Sequence, residues 1–299
     1  MARVLITGAS GFTGRYLAAR LAQDGHQVHG TVHGAAGDSV PGVDQLHALD
    51  IGDSTAVAET IAKVAPDKVV HLAAIAFVAH ADIGEMYRAN VLGTRNLLDA
   101  LATAGKRPSA VLLASSANIY GNARDGMLDE DARVAPVNDY AITKAASELV
   151  AAVYRDRLPI IVTRPFNYTG RGQSPDFLVP KIVSSIRSGA DEIELGNVDV
   201  ERDFSDVRGV IDAYARLLDA EGASGGTFNI CSGRAVPLSA VIDLVRQISG
   251  RDFAVRVNPA FVRSNEVKSL WGSPARLEQA IGPLRMPPLE ETLRWMLGE

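Results

Sequence analysis

Tyr140 and Lys144 stand four residues apart in Tyr140-Ala141-Ile142-Thr143-Lys144, after the turn-like Pro136-Val137-Asn138-Asp139. On a helix that spacing puts both side chains on one face. An ammonium beside a phenol lowers the phenol pKa from about 10 towards neutral pH. The pair therefore predicts a tyrosine that exchanges a proton with a carbonyl or hydroxyl oxygen. A spacing of four is common by itself, so a second signal is needed. The apolar run Val111-Leu112-Leu113-Ala114 supplies it, opening into Ser115-Ser116-Ala117-Asn118-Ile119-Tyr120-Gly121. A serine hydroxyl at that strand end would orient the same oxygen.

A third signal lies at the start of the chain. Thr7-Gly8-Ala9-Ser10-Gly11-Phe12-Thr13-Gly14 follows the apolar stretch Val4-Leu5-Ile6 and precedes a helical pattern. Glycines at 8, 11 and 14 suit a tight turn, close backbone approach to a pyrophosphate, and close helix–strand packing. A helix starting near Gly11 would aim its first amides at the phosphates. Glycine triplets alone are weak evidence, and the strand-to-helix context strengthens this one. The end of the second apolar run, Val28-His29-Gly30-Thr31-Val32-His33-Gly34, carries no carboxylate to bind a ribose 2′-hydroxyl and no arginine to grip a 2′-phosphate. Lacking an anion to repel that phosphate, it favours NADP(H), with NAD(H) as the alternative. Asp50, at the expected end of a third strand, suits either a hydrogen bond to adenine or a helix cap.

These groups need a frame. Residues 4–7, 28–32, 68–72, 111–114 and 160–163 read as buried strands, with helical patterns at 16–23, 54–64, 89–104 and 141–154 between them. Near-continuous apolar strands alternating with helices predict a doubly wound parallel α/β sheet. From Arg164 the rhythm changes, because Pro165, Gly170, Gly172, Pro175 and Pro180 predict a long shaped loop. Later helices are expected at 182–187, 207–219, 238–248 and 290–297, and strands near 193–195, 227–230 and 254–257. A smaller second domain over the C-terminal sheet edge follows, where such folds bind ligands.

Composition excludes several classes. The 299 residues are 47% hydrophobic and 22% charged, with net charge −5, which argues against disorder and against bulk nucleic-acid binding. The single cysteine, Cys231, rules out an internal disulfide or a multi-Cys zinc site. All six histidines, His26, His29, His33, His47, His71 and His80, fall in the first 80 residues. Without clustered carboxylates they suggest strand ends and loops, and no metal is expected. The N-terminal apolar stretch is too short for a signal peptide, and no run reaches a membrane span. A soluble cytoplasmic protein is the expectation.

The residues together carry a resemblance. The chain resembles the extended short-chain dehydrogenase/reductases of the NAD-dependent epimerase/dehydratase group, which act on nucleotide sugars. The likeness runs from Val4 to about Trp295 and includes His71-Leu72-Ala73-Ala74, Asn90-Val91-Leu92-Gly93-Thr94 and Arg164-Pro165-Phe166-Asn167. It implies a Rossmann domain over 1–165 and a mainly nucleotide-sugar-binding domain over 166–299, some of whose segments return to the Rossmann sheet. Ser116, Tyr140 and Lys144 would be catalytic. The cofactor would meet Gly8, Ser10, Gly11, Phe12, Gly14, His33, Asp50, Ile51 and Leu72, with Ala73 and Ala74 along its phosphates. Asn90 would support the active-site helix, and Pro165 and Phe166 would face the nicotinamide beside Tyr140 and Lys144.

Three stretches narrow the resemblance to GDP-mannose dehydratases and GDP-4-keto-6-deoxy-mannose reductases, most closely the GDP-D-rhamnose-forming group. They are Arg164 through Gln173, Leu195 through Phe204, and Asn258 through Val267. Arg171 departs from the family's proline. The likeness implies a substrate site of Ser116, Asn118, Asn167, Gln173, Val179, Lys181, Asn197, Arg202, Arg263 and Glu266. Arg202 and Arg263 suit a diphosphate, Asn167 a phosphate, and Glu266 the ribose hydroxyls. Where related dehydratases carry glutamate, and fucose-forming epimerase-reductases carry cysteine, this chain has Asn118. An amide abstracts no proton at ordinary pH. The resemblance thus implies NAD(P)H-dependent reduction of the C4 keto group of a nucleotide-linked 4-keto-6-deoxyhexose, GDP-linked before dTDP-linked. A nucleotide-sugar 4-epimerase or a GDP-mannose 4,6-dehydratase-like enzyme is the runner-up, and an NADP-sensing regulator the non-enzyme alternative. It further implies a homodimer through a four-helix bundle of the 89–104 and 141–154 helices, using Val91, Leu97, Leu98, Leu149 and Val153.

Overall fold

Alternation along the first strand sets the layering. In β1 (Arg3–Thr7), Val4 and Ile6 point to one side of the sheet and Leu5 to the other, and all three are fully buried. Six more parallel strands join it: β2 (Gln27–Val32), β3 (Gln45–Ala48), β4 (Lys68–His71), β5 (Ala110–Ala114), β6 (Ile160–Pro165) and β11 (Thr227–Ile230). The order is β11-β6-β5-β4-β1-β2-β3, with every neighbouring pair parallel. The chain leaves β1 towards β2 and later returns to its other side through β4. That reversal opens a crevice at the carboxyl ends of β1 and β4. The computed structural model describes residues 1–34, 37, 39–78, 81–122, 126–262 and 267–298.

Helices cover both faces. On the Val4 face lie α1 (Phe12–Gln23) and α7 (Val207–Leu217), burying Leu17, Leu21, Val210, Tyr214 and Leu217. On the Leu5 face lie α2 (Ser54–Val64), α4 (Gly93–Thr103) and α5 (Asp139–Val153), burying Val57, Ile61, Leu97, Leu98, Leu101 and Ala151. A short helix, α3 (Ile83–Tyr87), leads into the α4 region. The helical pattern predicted over 89–104 is not uniform. A π-helical turn at Arg88–Leu92 precedes α4. The Asn90 carbonyl there accepts from the hydroxyls of Thr94 (2.6 Å) and Ser147 (2.8 Å), which widens the turn.

A separate core follows β6. It joins α6 (Leu178–Arg187), α8 (Leu238–Ser249) and α10 (Leu289–Leu297) through Ile182, Val183, Val241, Val245, Leu293 and Met296. Short strands complete it. β7 (Asn167–Thr169) pairs with β10 (Phe204–Asp206), and β8 (Glu192–Leu195) pairs with β13 (Ala254–Val257). β9 (Glu201–Arg202) lies between β12 (Val236–Pro237) and β14 (Ser269–Leu270). Helix α9 (Ala275–Ile281) returns to the sheet side through Leu277. Sequence reading expected a loop after Arg164, but β7 forms there, since β10 offers a parallel partner. No helix among the described residues is long and apolar enough to cross a membrane.

Candidate active site

The glycine loop turns where β1 ends. Gly8 has φ +72°, and a Cβ there would lie 3.0 Å from the backbone N and Cα of Ala73, so the loops after β1 and β4 touch through glycine. A Cβ on Gly14 would strike the Gly8 carbonyl and come within 2.7 Å of Ala9 Cα. Helix α1 therefore starts tight against the turn. Its N-cap is Gly11, with no side-chain cap and no acid in the first turn. A helix start with uncapped amides and no competing carboxylate, beside the Ala73 backbone, fits a pyrophosphate.

A buried polar chain fixes this geometry. The Thr7 hydroxyl accepts from the amides of Leu72 (3.2 Å) and Ala73 (3.1 Å). It has its own proton left for His71 Nδ1, 2.7 Å away. His71 Nε2 then donates to Thr94 Oγ1 at 3.0 Å, and Thr94 donates to the Asn90 carbonyl. This assignment satisfies every member with a neutral imidazole. Burial pushes His71 down to about 3, so it stays neutral. Asn90 continues the chain, its side chain bonding Ile75 N (2.8 Å), Ile75 O (3.1 Å) and Thr143 Oγ1 (3.0 Å). The expected support of the active-site helix by Asn90 thus has a physical form: the loop after β4 is stitched to α5.

At the other end of the crevice, His33 is exposed in the turn after β2. The Asp50 carboxylate accepts from Arg88 Nη2 at 2.6 Å and Gly52 N at 2.8 Å, and the Arg88 bond holds it below the usual carboxylate range. Arg88 was missing from the sequence reading, because it sits on the π-helical turn, far from Asp50 in sequence. Ile51 is buried, and a Cβ on Gly93 would collide with it. His29 stacks on His47, with ring centres 5.4 Å apart and Nδ1 3.1 Å from His47 Nε2.

The reaction end gathers the three catalytic candidates. Ser116 caps the 3-10 turn Ala117–Tyr120, its Oγ accepting from Asn118 N at 3.2 Å. The same serine lies close enough to the Tyr140 phenol to pull its pKa down. Tyr140 opens α5, which Asn138 caps by accepting from Ala141 N at 2.9 Å. Lys144, one turn on, donates to the Ala114 carbonyl at 2.8 Å, with Nζ 6.0 Å from the Tyr140 ring centre. Ser116, Tyr140 and Lys144 are each 8% exposed or less, so their electrostatics are those of a buried site. One expectation needs correction. The Tyr–Lys spacing predicts a lowered phenol, whereas burial pushes Tyr140 up and Ser116 offsets only part. Desolvation also pushes Lys144 down to about 8, with Glu148 pulling the other way.

Pro165 ends β6, and the Phe166 ring packs beneath the site against Tyr120, 6.1 Å centre to centre, and against Gly272, whose Cβ would overlap it. Phe12 does not simply edge the glycine loop. Its ring stacks on Tyr168 at 6.1 Å, and the next residue, Thr13, hydrogen-bonds the Tyr168 hydroxyl at 2.8 Å. Tyr16 donates to the Arg171 carbonyl at 2.7 Å. The start of α1 is therefore bound to the segment that carries Asn167 and Gln173, a link without a motif in the sequence. Ser10 is exposed, its carbonyl accepting from Arg15.

The other substrate candidates divide. Asn167 is exposed on β7, Asn118 is half-buried below the β5 end, and Gln173 Nε2 donates to Tyr168 O at 3.2 Å while its buried Oε1 has no partner. Asn197 lies between β8 and β9. Arg202 is buried on β9, Nη1 donating to the carbonyls of Glu201 (2.8 Å) and Lys268 (3.2 Å). Lys181 lies 4.1 Å over the Phe261 ring. Val179 faces the α6–α8–α10 core, being 3% exposed. Arg263 and Glu266 lie outside the described residues.

Known proteins show the same frame. The chain is 33% identical over 280 residues to the GDP-6-deoxy-D-talose 4-dehydrogenase of Aggregatibacter actinomycetemcomitans, covering 94% of this chain and 91% of that one. It is 31% identical to the GDP-6-deoxy-D-mannose reductase of Pseudomonas aeruginosa, covering 99% and 96%. Among solved structures, a putative epimerase from Burkholderia cenocepacia superposes with TM-score 0.90 at 50% identity, covering 99% and 96%. Residues 4–231 match one family, and with the full-length likeness this settles the membership: the chain belongs to the NAD dependent epimerase/dehydratase family.

Proposed function

We propose that this protein is an NAD(P)-dependent oxidoreductase that reduces the C4 keto group of a nucleotide-linked 4-keto-6-deoxyhexose, GDP-linked by preference. The carrying observation is the reaction end of the crevice. It offers a buried phenol as proton donor, Tyr140, and within residues 115–122 it offers no carboxylate or thiol to abstract a carbon-bound proton. By the family resemblance, Asn118 takes the position of that base.

When bound, the nicotinamide supplies the hydride. The chain's own groups handle the oxygen. Because burial raises Tyr140, its phenol is protonated at neutral pH, the form that donates to a carbonyl oxygen as that oxygen gains charge. Ser116 lies beside the phenol, so its hydroxyl is placed to share the same oxygen. Lys144 sets positive charge beside the phenol and favours the phenolate left after proton transfer. Gly8, Gly11, Gly14 and Ala73 would hold the dinucleotide phosphates. NADP(H) is favoured, since β2 ends without a carboxylate and the Asp50 charge is already held by Arg88.

The GDP preference rests on the two curated relatives, whose names both specify GDP-linked 6-deoxyhexoses. Those two sugars differ at C4, so product NMR assigns the stereochemistry. The assay offers GDP- and dTDP-4-keto-6-deoxyhexoses with NADPH or NADH and follows nicotinamide absorbance. Oxidation of NADPH with the GDP-linked ketone supports the proposal. Sustained conversion of GDP-mannose to its 4-keto-6-deoxy form overturns the reading of Asn118. A purified protein holding stoichiometric NAD and interconverting C4 epimers would establish the epimerase instead.

We infer in addition a homodimer through α4 and α5. Leu92, Ile142, Leu149 and Val153 are 53%, 40%, 73% and 76% exposed, and the last three share one stripe of α5. Leu97 and Leu98, expected in that interface, belong to the subunit's own core.

A further inference from the structure

Glu148 follows Lys144 by one turn of α5 and shares its face. Arg164 reaches it from β6 in a two-bond fork, Nε to Oε1 at 3.0 Å and Nη2 to Oε2 at 2.7 Å. Both side chains are largely buried, 14% and 9% exposed. Arg164 is itself anchored, since Nη1 donates to the Tyr120 hydroxyl at 3.0 Å and the Glu130 carbonyl at 2.9 Å. Tyr120 in turn donates to Asn229 Oδ1 at 2.7 Å. With both oxygens gripped, the carboxylate has one orientation and cannot swing to water.

A buried ion pair is weak evidence of stability, because desolvation offsets the attraction. Its placement is more informative. Tyr140, Lys144 and Glu148 occupy three successive turns, so the Glu148 carboxylate follows Lys144 on the side away from the phenol, with the Arg164 charge beyond it on β6 offsetting only part. We propose that Glu148, locked by Arg164, is a positioning residue that keeps the Lys144 ammonium charged beside Tyr140 across the working pH range. The consequence for turnover rests on the reductase reading above; the charge relation does not.

The surroundings of Lys144 single out Glu148. From α5 come Tyr140 and Glu148, from β4 the neutral His71, and from the turn after β5 Ser116. Tyr168 of β7 and Tyr214 of α7 couple electrostatically to the Tyr140 phenol, both pushed up by burial. Arg164, on β6, acts through its fork to the carboxylate. Burial opposes the ammonium, and Glu148 supplies the charge that favours it.

The test is Glu148→Gln with two readouts. Protein carrying 13Cε-labelled lysine has six lysines, and Lys144→Met assigns the Lys144 signal. In Glu148→Gln the Lys144 midpoint falls by about one pH unit. The alkaline limb of kcat for ketone reduction moves down with it, while kcat at pH 6 stays within about threefold of wild type, since a tenfold loss corresponds to about 1.4 kcal/mol of barrier. A purely structural residue would lower kcat alike at all pH values. Glu148→Gln leaves Arg164 buried and without its carboxylate, so the Glu148→Gln/Arg164→Gln variant is measured beside it and shows a smaller fall in the same direction, because it removes a positive charge as well. An unchanged Lys144 midpoint in either folded variant overturns the proposal. A shifted midpoint without a matching kcat limb leaves the charge relation standing and removes the Lys144 charge from the rate-limiting step, whereas absence of ketone reduction by the wild type refutes the reductase reading instead.

Discussion

Replacing Gly14 by alanine tests the phosphate loop without removing a polar group. The added methyl would strike the Gly8 carbonyl and lie 2.7 and 2.8 Å from Ala9 Cα and O. All three are backbone atoms, so no rotamer change relieves the overlap and the first turn of α1 must move by several tenths of an ångström. Overpacking of this kind costs about 1–3 kcal/mol, against about 1 kcal/mol that alanine gains over glycine inside a helix. The net loss is about 0–2 kcal/mol, a fall in Tm of at most about 3 °C for a chain this long. The same shift withdraws amides from the phosphates. Losing one hydrogen bond to a charged group, about 1.5–3 kcal/mol, raises the NADPH Kd roughly 10- to 150-fold. Gly11→Ala is the internal control, since its methyl would meet only the Gly8 carbonyl at 3.2 Å. That variant should weaken binding less than about tenfold, its main cost being alanine at an N-cap. Fluorescence titration with NADPH and thermal melts distinguish the two. Wild-type Tm and Kd in Gly14→Ala, or a larger defect at Gly11, would refute the contact argument.

Tyr140→Phe should cut turnover at least about 100-fold with NADPH binding intact, and near-normal turnover would remove the phenol from the reaction. Leu149→Glu with Val153→Glu should yield a folded monomer by light scattering, and an unchanged mass would place any interface elsewhere. Acid should destabilise the fold through the buried His29 and His71 and the half-buried His47. His29, His47 and His71 are all lowered in the folded state, mainly by burial. The unfolded chain binds their protons first, so stability is complete above about pH 6.5 and lost as pH falls, about 1.4 kcal/mol per pH unit for His71, the fully buried one. Urea melts at pH 7 and pH 5 measure the difference, and equal stabilities would show these rings to be solvated.

The sheet was legible because its strands announce themselves. Val4-Leu5-Ile6 and Val111-Leu112-Leu113 are buried on both faces, and such strands are apolar throughout. The Ser116, Tyr140 and Lys144 site was legible for a related reason, since its members stand at strand and helix ends that periodicity locates. Arg88 beside Asp50, Tyr168 against Phe12 and Asn229 beneath Tyr120 were not, because each partnership joins distant elements. The direction of the Tyr140 shift was misread for want of burial. Spacing reports a neighbouring charge, whereas desolvation depends on everything else packed around the ring. The short β7, β9, β12 and β14 are two or three residues long, too brief for periodicity to register.

The last strand of the sheet comes late. β11 completes the parallel edge against β6 only after the α6 and α7 segments have been made, and its Asn229 holds Tyr120 under the site. On the ribosome, about sixty residues separate β6 from β11, roughly 3–12 s of synthesis. Throughout that interval the outer edge of β6 has no neighbour and can take a strand from another nascent chain. Overexpression losses should therefore scale with chain concentration. A fragment ending at residue 165 would keep that edge open permanently, so the nucleotide-binding half is not a unit to be cut out and borrowed.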